Sequence, residues 1–282
     1  MEKIGIIGNG FVGSAVAYGM SAQCGYDSDI KIYDIDPLRR THSLAEVVNN
    51  SDWVFISVPT PSKEDGSIDN SFVYQVFEDI EKVKIKKVMP QEHDTVFFLR
   101  STCIVGTTRK IQEKYPKLNI VYNPEFLTER NAKFDFINPS RIVLGYNGFF
   151  NSRIRKNKIK DFFSKRFSNV KIISCMYEEA EMIKYMANNY FAVKLAFLNE
   201  MYLIQKNNKK IDWDVVMEGF LCDGRIGHSH NKIALDGKLG YGGACLPKDI
   251  KAMYSYASKL GLDHDFNVLK GAIDSNTKLR KD

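Results

Sequence analysis

Short apolar runs separated by amphipathic stretches fill the first half of the chain. KIGIIG (3–8) opens the series. KIYDID (31–36), DWVFISVP (52–59), TVFFLRS (95–101), NIVYNPE (119–125), RIVLGY (141–146) and VKIISC (170–175) repeat it. Such brief apolar runs predict strands. Between them a small-residue stretch from about 11 to 23, SFVYQVFEDIEKVKIKKV (71–88), VGTTRKIQEKY (105–115) and a basic segment around 151–166 predict helices. Strand and helix in alternation predict an α/β domain with a mostly parallel sheet.

The pattern then changes. EEAEMIKYMANNYFAVKLAFLNEMYLIQK, from Glu178 to Lys206, reads as one helix of alanine, leucine, methionine and aromatics. It would run about 40 Å at ~1.5 Å per residue, more than one small domain needs. A connecting helix with an apolar face toward a partner subunit is expected. Shorter helices at IDWDVVMEGFL (211–221), DIKAMYSYASKLG (249–261) and DFNVLKGAIDSNTKL (265–279) would pack against it. The expected division is 1–177, a sheet domain, and 178–282, an all-helical central domain.

Composition adds exclusions. The chain of 282 residues is 44% hydrophobic and 26% charged, with 40 basic against 34 acidic residues. That is globular, with no low-complexity tail. The basic excess gathers in 151–166 and 207–212 without zinc-finger spacing or an RNP-like string, so no nucleic-acid partner is expected. A solvated helix face or a site for an anionic ligand accounts for it. The five cysteines, Cys24, Cys103, Cys175, Cys222 and Cys245, are widely spaced and lack a CxxC pair. Neither a disulfide scaffold nor a structural metal site is expected. With no signal-peptide pattern and no run of membrane-spanning length, the chain reads as cytoplasmic and reduced, with no membrane partner.

GNGFVG (8–13) follows the first strand and opens the first helix, with Asp34 ending the second strand. In this frame Gly8 makes the tight turn, Gly10 lets backbone approach a pyrophosphate, and Gly13 lets helix and strand pack closely. The diphosphate rests on the helix N-terminus, with Asn9, Phe11 and Val12 around it. Asp34 would accept hydrogen bonds from a ribose diol and repel a 2′-phosphate, which favours NAD; Asp36 is a second candidate for that contact. The first domain is therefore expected to be a Rossmann-like NAD-binding domain. Pro59 and Thr60 in VPTPSKEDGSID, and Ser101 and Thr102 in STCIVG, fall at or after strand C-termini, where the cofactor crevice lies. Thr60 and Thr102 read equally as dinucleotide contacts or loop caps.

GYGGACLPKD (240–249) sets Cys245 among Gly240, Gly242, Gly243, Pro247 and Lys248. A helix start and nearby lysines lower a thiol pKa, so a nucleophile and a turn residue are both open readings. Asp249 reads as the N-cap of the next helix. Lys184 and Asn188, four apart, share one helix face and either point to solvent or need polar partners. YNPEFLTERNA (122–132) holds Glu125 and Glu129.

Taken together, GNGFVG, SVPTPSKEDGSIDNSFV, STCIVG, NPEFLTERNA, EMIKYMANNYFAVKLAFLNE and DGRIG…GYGGACLPKD resemble the UDP-glucose/GDP-mannose dehydrogenase family, nearest its UDP-glucose 6-dehydrogenase branch. They stand in family order across nearly the whole chain. The resemblance implies a four-electron oxidation of a nucleotide sugar at C6, with Cys245 as nucleophile through a thiohemiacetal and a thioester. It gives Lys184 and Asn188 the oxyanion, Asp249 and Thr102 the water, and Glu129 the base in hydrolysis. It gives Glu125, Phe126, Leu127, Asn199, Arg225, Tyr241 and Gly242 the sugar site, together with Lys184, Asn188 and Cys245. Glu129 and Lys248 are expected near the cofactor or an anionic group. A homodimer through the long helix is implied, with UDP-glucose the first expected substrate. Relatives continue into a third, UDP-closing domain, and this chain, ending at Asp282, is expected to lack it. A Pro-Gly pair common before the cysteine loop is also missing from KIALDGKLGYGG. A two-electron β-hydroxyacid-type dehydrogenase and a non-catalytic nucleotide-sugar binder are the alternatives.

Overall fold

The apolar runs become β1 (Glu2–Ile7), β2 (Ser28–Tyr33), β3 (Trp53–Ile56), β4 (Val96–Leu99), β5 (Asn119–Tyr122), β6 (Arg141–Tyr146) and β7 (Lys171–Met176). The helices are α1 (Phe11–Gly19), α2 (Leu44–Asn50), α3 (Ser71–Lys84), α4 (Thr107–Lys114), α5 (Ala132–Ile137), α6 (Arg153–Arg166), α7 (Tyr177–Asn207), α8 (Trp213–Leu221), α9 (Leu246–Lys259) and α10 (Asn267–Leu279). They are taken from a computed structural model that describes residues 1–84, 95–148, 153–234 and 236–280. The chain divides into two compact units, Met1–Pro61 with Asp69–Lys184, and Ser62–Ile68 with Tyr185–Asp282.

In the first unit the strands form one sheet in the order β2-β1-β3-β4-β5-β6-β7. Every ladder is parallel except β5 against β6, which meet at Tyr122 and Gly145. The link between these two holds only a 3-10 turn and the short α5, so the chain returns antiparallel without a full crossover helix. Successive strand residues face opposite sides, which explains why both layers are apolar. Val54, Ile56, Phe97, Leu99 and Ile120 pack with Phe77, Ile80 and Ile111 on one side. Trp53, Phe55, Phe98 and Val121 pack with Val16, Phe162 and Phe163 on the other. Trp53 stacks on Phe162 with ring centroids 4.4 Å apart.

Three helices of the first unit differ from the sequence expectation, the unanticipated α2 and α5 and the shorter α1. Helix α2 was not anticipated, although its start is encoded: Ser43 Oγ accepts from Glu46 N at 3.3 Å and Ser43 N donates to Glu46 Oε2 at 2.7 Å. This is a reciprocal cap. Helix α1 ends at Gly19 rather than near 23, and a 3-10 turn, Ala22–Cys24, follows it. A side chain at Gly19 would overlap the Phe136 ring, so α1 is packed tightly where it stops. Residues 85–88 of the expected helix 71–88 and 151–152 of the basic one lie outside the described residues.

The second unit is helical, apart from an isolated bridge between Ser62 and Ile68. Ala192, Leu195, Ala196, Tyr241, Ile250 and Ala272 form its core. Asp212 caps α8 by accepting from Asp214 N at 2.9 Å. Helix α7 leaves Met186, Tyr190, Phe197 and Ile204 largely exposed along its length. No described helix is long and apolar enough to cross a membrane.

Candidate active site

The glycine turn between β1 and α1 fits a dinucleotide at each position. Gly8 has φ +87°, and a side chain there would overlap the Ser57 carbonyl. A Cβ at Gly13 would overlap the Gly8 carbonyl, so α1 could not begin so close to its strand. Gly10 has open space where its side chain would stand, and it caps α1 without any side-chain hydrogen bond. A bare helix start with an open approach suits a diphosphate. Phe11 is exposed at that start and Val12 half-buried. Asp34 stands one residue beyond β2; its Oδ2 accepts from Asn9 N at 2.6 Å and its Oδ1 from Asp36 N at 2.9 Å. Asp36 instead turns to Leu38 N and pairs with Arg39. Asp34 is thus the acid tied to the glycine turn, and Asp36 belongs to the loop beyond.

Ser101 joins two strand ends. Its Oγ accepts from Val58 N at 2.9 Å and donates to Val58 O at 2.8 Å. Thr60 is buried, Pro59 exposed and Thr102 half-buried on the same edge. The loop after Thr102 runs into α4, whose start is met by Glu181 of α7. Glu181 accepts from Gly106 N at 2.6 Å, Thr108 N at 2.8 Å and Thr108 Oγ1 at 2.6 Å. Burial pushes its carboxyl up to about 7, against the pull of these donors. This buried acid carried no signal in the sequence reading.

One turn further along α7, Lys184 is 2% exposed. Its Nζ donates to both Glu125 O and Glu125 Oε1 at 2.7 Å, which answers whether it faces solvent. Burial pushes the Glu125 carboxyl up, yet Lys184, the Leu127 N–H and Arg100 hold it below the usual carboxylate range. Leu127 N lies 2.7 Å from Glu125 Oε2, and Lys184 Nζ lies 5.6 Å from the Phe126 ring. Arg100 is buried and donates to Asn123 at 2.5 Å, and burial pushes it down to about 10. The carboxylate set against Lys184 is therefore Glu125. Glu129 is exposed at the start of a 3-10 turn.

In the second unit Asn188 donates from Nδ2 to Asp249 Oδ2 at 2.6 Å, and Lys248 Nζ donates to Asp249 Oδ1 at 2.5 Å. Asp249 is fully buried between them. It is not the N-cap of α9, as the sequence suggested. Cys245 holds that position, because Pro247 sits in the first turn, where its missing N–H costs nothing. The Cys245 sulfur is thus half-buried at the head of a helix. Upstream, Asn199 Oδ1 accepts from Gly240 N at 2.9 Å, and Tyr241 is buried with its N–H on Asn276 Oδ1 at 2.7 Å. Gly242 follows, half-buried. Arg225 is 90% exposed and pairs with Asp223 of its own loop.

Both units have relatives among known proteins. Residues 34–160 match the NAD binding domain of the UDP-glucose/GDP-mannose dehydrogenase family, and residues 178–278 match its central domain. The UDP-glucose 6-dehydrogenase of Campylobacter jejuni is 31% identical over 223 residues, covering 79% of this chain and 53% of that protein. UDP-glucose 6-dehydrogenase AglM of Haloferax volcanii is 30% identical, over 97% of this chain and 69% of its own length. A solved UDP-glucose dehydrogenase from Pyrobaculum islandicum superposes with a TM-score of 0.79 at 26% identity, over 99% of this chain and 68% of that one. The chain spans about half the length of most curated relatives it matches. With NAD as the cofactor of its N-terminal unit and both family domains in order, the chain belongs to the UDP-glucose/GDP-mannose dehydrogenase family.

Proposed function

We propose that the chain carries the chemistry of an NAD-dependent nucleotide-sugar 6-dehydrogenase, converting UDP-glucose, water and two NAD+ to UDP-glucuronate, two NADH and the protons released. The observation that carries this reading is Cys245 at the head of α9, four residues before a buried Asp249 held by Lys248 and Asn188. NAD, when bound, accepts one hydride in each of the two oxidations. The glycine turn and Asp34 would hold it, with Thr60 and Ser101 along the same sheet edge.

The protein's own work is then proton and acyl management. The Cys245 thiolate adds to the C6 aldehyde left by the first oxidation, and the new C–S bond makes a thiohemiacetal. Loss of hydride from that carbon and of the proton from its hydroxyl leaves a thioester, which water cleaves to free the acid and restore the thiol. Lys184 and Asn188 donate hydrogen bonds to the oxygen that gains charge. Asp249 and Thr102 hold the water, and Glu129 acts as or assists the base in hydrolysis. Glu125 fixes the position of Lys184. Phe126, Leu127, Asn199, Tyr241 and Gly242 are assigned to the sugar, with Arg225 reaching a partner's site. The exposed apolar residues of α7 support a homodimer through that helix, and five free cysteines suit a reducing cytoplasm.

The test counts NADH per UDP-glucose consumed, for the wild type and for Cys245→Ser. Two NADH per sugar, with acid formation lost in the variant, is the expected outcome. One NADH per substrate and a tolerant variant would instead indicate a two-electron dehydrogenase. NAD and sugar binding without NADH would mark a binding protein.

A further inference from the structure

The backbone that leads to Cys245 is rich in glycine, and of its own side chains Tyr241 is buried in the helical core. Gly237, Gly240 and Gly243 all have positive φ. Glycine-rich backbone is conformationally permissive and costs entropy to order, so something outside it must fix its shape. Three side chains do so. Asn199 takes the Gly240 N–H, Asn276 takes the Tyr241 N–H, and Arg280 lies against Gly242. The last contact is the most demanding. A Cβ built on Gly242 would stand 2.5 Å from Arg280 Cζ and Nη2 and 2.9 Å from Nη1, so the guanidinium lies flat where a side chain would be.

Arg280 is also gripped from the other end of the same loop. Its Nη1 donates to Asp236 Oδ1 at 3.3 Å, and its Nη2 donates to Asp236 Oδ2. The Arg280 guanidinium beside it holds the Asp236 carboxyl down at about 2. The guanidinium therefore spans the loop from Asp236 to Gly242, three residues before Cys245. Lysine could not replace it, because a point charge on a flexible stem lacks the planar two-point fork and the flat face.

We infer that Arg280, with Asn276, is a positioning residue that sets the glycine loop and through it the aim of the Cys245 sulfur. The inference rests on the reading of Cys245 as nucleophile. Gly242 is glycine here because a guanidinium occupies its side-chain space, and Asp236 is acidic because it anchors that guanidinium.

The experiment reads the thiol and the turnover separately. Cys245 alkylation by iodoacetamide is followed by peptide mass spectrometry, with the exposed Cys222 as internal reference in the same sample. Freed from Arg280, the half-buried thiol samples more open positions while losing its aim. In Arg280→Ala, Cys245 labelling should therefore speed up by about threefold or more relative to Cys222. At the same time kcat should fall about tenfold, a fraction of the ~100-fold that a 1 Å misplacement can cost. The KM for NAD should hold, and Arg280→Lys should restore neither quantity. Gly242→Ala should reproduce the effect in the wild-type background and add nothing in Arg280→Ala, since the space is then free. Unchanged labelling and kcat in Arg280→Ala, or full additivity of the two substitutions, would overturn the inference. So would a loss of cooperative folding in Arg280→Ala, which would make the arginine a general stabiliser. A chain that proves inactive on UDP-glucose leaves the labelling comparison intact, so the two readings fail separately.

Discussion

Replacing Glu125 by glutamine removes one charge from the most deeply buried ion pair described in the first unit. Lys184 and Glu125 are 2% and 5% exposed, and Arg100, also buried, sits close enough to act on the same carboxylate. Glutamine keeps the size and one oxygen acceptor but leaves two buried basic side chains without a counter-ion. Breaking a buried pair costs about 3–5 kcal/mol. The retained acceptor places the expected loss near the lower end, about 3 kcal/mol. With a urea m-value of about 3 kcal/mol/M, the unfolding midpoint should fall by about 1 M. The chain has two tryptophans, Trp53 in the first unit and Trp213 in the second, so a Trp213→Phe background makes Trp53 fluorescence the reporter. The sign of the pH dependence is also determined. A carboxylate held below its ordinary range contributes stability above that range and loses it as pH falls through the lowered value. Wild type and variant should therefore differ most near pH 7 and converge in acid. A difference below about 1 kcal/mol at pH 7, or one that widens as pH falls, would refute the reasoning.

Gly13→Ala should abolish NAD binding measured by fluorescence titration and lower the melting temperature, since its methyl would overlap the Gly8 carbonyl. Glu181→Gln should show the opposite pH sign to Glu125→Gln. A carboxyl raised to about 7 stabilises below the ordinary carboxylate range and loses that contribution as pH rises through 7. The melting temperature of the wild type should therefore fall relative to Glu181→Gln between pH 4.5 and 7.5, as followed by circular dichroism; parallel curves would show that Glu181 does not titrate there.

The sheet and the long helix were legible because their signals are local. Period and turn chemistry mark β1, the glycine turn and α7 within a few residues each. Helix α2 is equally local, with the Ser43–Glu46 cap marking its start. Helix α9 begins before Asp249 because Cys245 is its N-cap and Pro247 fits its first turn. What could not be read were the partners. Glu125 lies 59 positions from Lys184, and Asn276 lies 35 from Tyr241. Nothing in either short stretch names the other, because closure of the fold creates the pairing. The same holds for Gly242, whose reason for being glycine stands at the far end of α10.

The helix starts of the first unit also bear on traffic in anions. Each exposes N–H groups and a partial positive charge. At α2 that charge is answered by Ser43 and Glu46, and at α4 by Glu181. At α1 no side chain answers it. Of these three starts, a diphosphate therefore finds α1 the one without a side-chain cap. Glu181 already takes the N–H groups at the α4 start, so of the three only α1 keeps its donors free of a side-chain cap for a dinucleotide's diphosphate.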